Sequence, residues 1–380
     1  MTRRPPSASG RALALALALV GATACAPVIG EAYLNAVSAG ERAYGAGRFE
    51  EAARAFDDAA GKATRVKDRD EARLLHARAL QRAERWPEAR ASYERLVRES
   101  PEGPRTARAR FEIADLALAH GDPQQGFALL ADAVRRHPDH GLAASSLFRL
   151  ADHEAESGGP EGALRWLASV APAMRSTELD QTVTFATARW LERAGRPAEA
   201  VAAYLRAARE HPYPHGALTD DAYWYAAELE LSAERPAVAI AILRELLSAR
   251  ESPSQTLGSY ERPRFSQAQM RIAEITRDKL HDRAAARREF HRLFTVHTTS
   301  ILRDDALWAE ALLARDDGDA AETCRLVRTL VSDLPDSRFA RCARVLCPDA
   351  PAPKGARECP DYVVRELHPG APTPGDTPEP

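Results

Sequence analysis

Small residues return every 37 positions at Ala52, Ala89, Gly126, Ala163 and Ala200. The series continues, less evenly, at Ala239, Ala286 and Thr323. Four residues after each stands a bulky apolar one: Phe56, Tyr93, Leu130, Leu167, Tyr204, Leu243, Phe290 and Val327. Twelve residues before, a second small site recurs at Gly40, Ala77, Ala114, Ala151, Ala188, Ala227 and Ala311, and Glu274 breaks that series. A fixed period of about 20–50 residues means stacked copies of one supersecondary unit. Apolar spacings of three and four make the unit helical. Small residues twelve apart fall on successive helices and let their backbones approach; a bulky residue there would overpack the contact at a cost of about 1–3 kcal/mol. The chain is therefore expected to be all-α.

The unit resembles the tetratricopeptide repeat. In that family small residues hold the eighth and twentieth positions, a bulky residue the twenty-fourth and Pro the thirty-second; Ala188, Ala200, Tyr204 and Pro212 fit all four. The usual period is about 34. The longer unit here is similar to that of envelope tetratricopeptide lipoproteins, among them the lipoprotein subunit of the β-barrel assembly machinery. The resemblance implies a right-handed solenoid of about eight helical hairpins over residues 31–345. It is interrupted at 249–265, where "ARESPSQTLGSYERPRF" reads as a loop. Residues 346–380 are rich in Pro and are expected to be a largely disordered tail, apart from any disulfide at Cys359.

The first residues decide the compartment. Arg3, Arg4 and Arg11 precede an apolar run from Ala12 to Val20, and small residues lead to Cys25. A charged start, a short apolar stretch and a small-residue cleavage zone describe a secretory signal peptide over 1–24. "ATAC" resembles the lipobox of bacterial lipoproteins, although Ala22 stands where that family usually has Leu. The resemblance implies a lipidated Cys25 as first mature residue, with 25–30 as linker. Ala26, in place of Asp, implies the outer membrane, with the protein facing the periplasm. An ordinary cleaved signal ending near a Cys is the other reading.

Net charge is −3 and no basic patch stands out, so no nucleic-acid partner is expected. Only four of the 52 basic residues are Lys, which fits a high-GC composition as readily as anion recognition. The four remaining cysteines, Cys324, Cys342, Cys347 and Cys359, suggest two disulfides in an exported chain. Their spacing is not that of a zinc site, and no metal or other cofactor is expected. The His-containing stretches "HPDH" at 137 and "HPYPH" at 211 read as polar turns.

No catalytic motif is present, and no small-molecule substrate is evident. In the family that the repeat resembles, the first helices of the hairpins line a concave groove, which their fifth positions face. Those positions hold Val37, Leu74, Phe111, Phe148, Phe185, Trp224 and Trp308, with Arg271 breaking the row in the seventh repeat. As a groove, Phe111, Phe148, Phe185, Trp224 and Trp308 would bind a protein or extended peptide; as core, they would bind nothing. The expected function is a lipid-anchored envelope scaffold, not an enzyme, serving outer-membrane protein or envelope-complex assembly. A cell-wall enzyme or its activating subunit, and a structural spacer, are the alternatives.

Overall fold

The computed structural model describes residues 29–212, 215–248, 263–352 and 358–367. Cys25, the expected leader over 1–24 and most of the expected loop at 249–265 lie outside them. All regular elements among the described residues are helices, and sixteen helical arms make eight hairpins. The first three pair Glu31–Gly45 with Phe49–Lys62, Val66–Arg82 with Trp86–Glu99, and Thr106–His120 with Pro123–Arg136. The fourth is the helix Ala143–Met174, kinked at Gly159, where φ is 61° just before Pro160. The last four pair Asp180–Arg193 with Pro197–Glu210, Thr219–Ser232 with Pro236–Ser248, Pro263–Asp278 with Arg283–Val296, and Arg303–Asp316 with Ala320–Asp333.

The chain divides into two compact units. The first holds hairpins one to three with residues 143–153 and 173–179; the second holds 154–172 and the chain from 180 onward. In the first unit Ala43, Ala52, Phe56, Ala77, Ala89 and Tyr93 share one core cluster. The periodic small sites are buried because nothing larger fits. A Cβ on Gly40 would lie 2.5 Å from the Phe56 ring, and one on Gly126 2.5 Å from Leu118. Three-residue turns join most arms, with a left-handed middle residue at Gly47, Glu84, Gly195, Glu234 and Gly318.

Polar side chains hold each unit's hairpins in register. In the first unit, Ser100 donates to the buried Asp70 carboxylate at 2.7 Å, and the Thr106 hydroxyl donates to the Ser100 carbonyl. In the second unit the same parts recur. Gln181 donates to Thr219 at 3.0 Å and accepts from the Leu218 N–H at 3.0 Å, while Thr219 donates to the His211 carbonyl.

The seventh hairpin corrects the sequence reading. Ala273, not Glu274, fills the small site and packs with Ala286 and Phe290. The turn between its arms has four residues, 279–282, so the paired small sites stand thirteen apart. Glu274 instead pairs with Arg271 at 3.4 Å.

The tail expected from 346 is also corrected over 347–352 and 358–367. Two disulfides, Cys324–Cys347 and Cys342–Cys359, tie this segment to the eighth hairpin. Cys347, Val363 and Leu367 enter the cluster built around Trp308, Leu326 and Phe339. The segment thus covers an apolar face of the eighth hairpin that no further repeat among the described residues buries. Closing such short loops restricts the unfolded chain and stabilises by about 2–4 kcal/mol. Replacing Cys342 and Cys359 with Ser should lower the unfolding free energy by that amount in a urea titration. An unchanged midpoint would show that this crosslink contributes nothing.

Candidate functional site

The aromatic series divides on burial. Phe111, Phe185 and Trp308 are 0%, 4% and 3% exposed and belong to the core. Each is covered by a residue later in the chain. His140 stacks on Phe111 with ring centroids 5.0 Å apart, and Phe339 stacks on Trp308 at 5.0 Å. Tyr204 and Tyr225 meet Phe185 edge-on at 5.3 and 6.0 Å. These three are therefore corrected from groove to core. Phe148 is half-buried, and Trp224 is half-buried beneath the Arg264 guanidinium, 4.9 Å from its ring. Tyr225, which the sequence reading did not single out, is 40% exposed.

In the first unit the open surface lies further along the first helices, at residues 41, 44, 45, 78, 81 and 82. A cleft of about 470 Å³ is lined by Tyr44, Arg78, Gln81, Arg82, Trp86, Arg108, Glu112 and His120. Trp86 stacks on His120 at 3.9 Å. An adjoining pocket of about 200 Å³ shares Tyr44 and Arg78 and adds Glu41, Gly45, Phe56 and Leu75. Both are built from the first three hairpins alone.

A second cleft of the first unit, about 520 Å³, brings together Asp57, His76 and Ser92. Ser92 Oγ lies 3.3 Å from His76 Nδ1, and Asp57 Oδ1 lies 3.9 Å from the same nitrogen. In a nucleophile relay the imidazole is the base, with the nucleophile and the orienting carboxylate on opposite ring nitrogens; here both Ser92 and Asp57 stand at Nδ1. Burial pushes the His76 imidazole below its ordinary value, against the pull of Asp57. The "HPDH" and "HPYPH" histidines stand in connectors. His140 Nδ1 accepts from the Leu142 N–H at 3.2 Å, and His211 lies 3.5 Å from Asp180.

The tetratricopeptide-repeat profile matches residues 37–104, 74–141, 111–176 and 185–256, together more than half of the chain. The chain belongs to the tetratricopeptide-repeat family. No curated protein matches it by sequence. Among solved structures it is similar to a tetratricopeptide repeat protein from Parabacteroides merdae, at 12% identity over 74% of this chain and 99% of that one, with a TM-score of 0.33. It is similar to Pseudomonas aeruginosa pilF at 18% identity over 61% and 93% of the two chains, TM-score 0.35. A repeat protein from Cytophaga hutchinsonii matches at 11% identity over 70% and 98%, TM-score 0.43. Scores this low carry no argument about function. Repeats of this family form scaffolds for protein–protein interaction, and that is the coarse function class that the match supports.

The repeat frame relates two polar pairs that the sequence reading missed. Asp57 and His76 in the first unit, and His291 and Glu310 in the second, are each nineteen residues apart and hold equivalent positions with acid and base exchanged. The signal was legible as one acid and one His at that fixed offset. His291 Nδ1 lies 3.0 Å from Glu310 Oε2, and Glu310 is 5% exposed. Burial holds the Glu310 carboxyl above the usual range; the charge and hydrogen bond of His291 pull it down, Glu322 pushes it up and Arg325 lowers it.

A carboxyl raised in the folded state stabilises fully below its ordinary value, 4.5, and that contribution is lost as pH rises through the folded-state value. Glu310→Gln should therefore gain stability relative to the native chain as pH rises above 4.5, read by urea unfolding. A pH-independent difference would contradict this. Phe185→Ala should cost about 3–5 kcal/mol of stability, while Tyr225→Ala costs less than about 1.5 kcal/mol. Equal costs would place Phe185 outside the core.

Proposed function

We propose that this tetratricopeptide-repeat chain is a scaffold of the cell envelope, lipid-anchored at Cys25 on the outer membrane and facing the periplasm. There it holds a protein partner during outer-membrane protein or envelope-complex assembly. The observation that carries the binding role is the pair of adjoining clefts in the first unit, open beside Tyr44 and Arg78. The leader-like residues 1–24 and the position of Cys25 support export and anchoring. The two disulfides support an oxidising compartment, since such bonds persist outside the cytosol. Among the described residues no helix is long and apolar enough to cross a membrane; in this proposal acyl chains at Cys25 provide the attachment.

The test joins anchoring and capture. In envelope-bearing cells the native chain should incorporate labelled palmitate and sediment with outer membranes, and Cys25→Ser should do neither. Crosslinking should trap a partner on the native chain that Arg78→Glu, an exposed substitution, no longer holds. A soluble, unlabelled native chain would sink the anchoring. A partner retained by Arg78→Glu would sink the assignment of the surface.

A further inference from the structure

The two adjoining clefts at Tyr44 and Arg78 differ in chemistry although they share a wall. The smaller one is apolar at its base, where Phe56 and Leu75 meet the Tyr44 ring. Phe56 reaches that place because residue 40 is Gly; any side chain there would strike the Phe56 ring. Residue 45, on the pocket's wall, is also Gly, and a Cβ there would meet nothing within 4 Å. At about 200 Å³ it lies below the range of drug-sized sites, about 300–1,000 Å³, and offers room for one large side chain.

The larger cleft carries three arginines and one carboxylate. Arg108 is committed to Glu112, with Nε 2.8 Å from the carboxylate. The Arg82 guanidinium lies over the Phe49 ring, 5.1 Å from its centroid. Neither Arg78 nor Arg82 has a carboxylate partner among the described residues, and Glu41 stands at the rim of the apolar pocket. Arg78 borders both cavities, so an anion drawn to it sits beside the apolar pocket. An unpaired guanidinium binds carboxylate through two parallel hydrogen bonds, and an aromatic wall at Trp86 adds contact area around the polar site.

We propose that this surface takes an extended peptide segment in which a large apolar side chain stands within two residues of an Asp or Glu. The apolar side chain fills the pocket over Phe56 and Leu75. The carboxylate pairs with Arg78, with Arg82 as the second cation. This rests on the scaffold reading above and adds the chemistry of the segment that the scaffold holds.

The probe is a random twelve-residue phage-displayed peptide library, panned against the full purified chain at low and at high salt. Enriched peptides should share an aromatic or aliphatic residue next to, or one removed from, an acid. Their binding should weaken with salt, since charged contacts are screened. Arg78→Glu should weaken synthetic copies about tenfold or more. Gly45→Leu, a helical substitution with open space around it, should plug the pocket and weaken them similarly while circular dichroism and melting stay native. Absence of enrichment, enrichment of basic peptides, or binding unchanged by both variants would overturn the proposal. Panning involves neither the anchor nor the envelope. A failed selection beside a partner still trapped in cells and lost by Arg78→Glu would leave the scaffold reading standing. Selected acidic-apolar peptides beside a soluble, unlabelled chain would do the reverse.

Discussion

The contact between small residues on paired helices governs the rest of this structure. At Ala77 and Ala89, at Ala188 and Ala200, and at Ala227 and Ala239 the side chains are almost fully buried. With nothing larger than a methyl group between them, the helices come close enough for the bulky residue one turn later to reach the next hairpin. Tyr93, Tyr204 and Phe290 do so and are themselves buried. Where even a methyl is too large, at Gly40 and Gly126, glycine takes the place. Each repeat is a poor core alone and a good one when stacked.

Polar chemistry in both units is spent mainly on register. Within the first unit Asp115 pairs with Arg149; within the second, Asp221 pairs with Arg264, Glu228 with Arg271 and Glu245 with Arg209, all at 2.7–2.8 Å. Exposed pairs of this kind contribute only about 0–1 kcal/mol each. Their planar forks fit carboxylates in one orientation and so fix how one hairpin sits on the next. The scarcity of Lys, which composition alone explains as well, therefore has a structural use. Arg78 and Arg82, which line a cleft of the first unit, stand outside this ladder among the described residues.

The aromatic series shows how burial moved the candidate site. Connectors such as 137–142 are long enough to lay His140 across Phe111, and the segment after the eighth hairpin lays Phe339 across Trp308. A position that faces an open groove in shorter repeats becomes part of the seam between hairpins. In the first unit the open clefts lie instead beside Tyr44 and Arg78, further along the first helices, and beside Trp86 at the start of a second helix. At the chain's other end, the disulfides bring polar, Pro-rich sequence onto an apolar hairpin face, where Val363 and Leu367 complete the core.

Periodicity was enough to read the helical class, the eight hairpins and nearly every small-over-bulky contact, because each depends on residues at fixed, local offsets. The same rule misplaced the seventh repeat by one residue, since a turn one residue longer leaves no mark in composition. The even number of cysteines pointed to two bonds, yet their pairing needed the fold of the cap. Whether Phe111 faces ligand or core was open in the sequence because the covering side chain lies about thirty residues away in the chain. The apolar pocket beside Arg78 was also out of reach, for it arises where Gly45, Phe56 and Leu75 from two hairpins meet. Local spacing determines which residues are helical and which face is apolar; only tertiary contact decides which of those faces remains open.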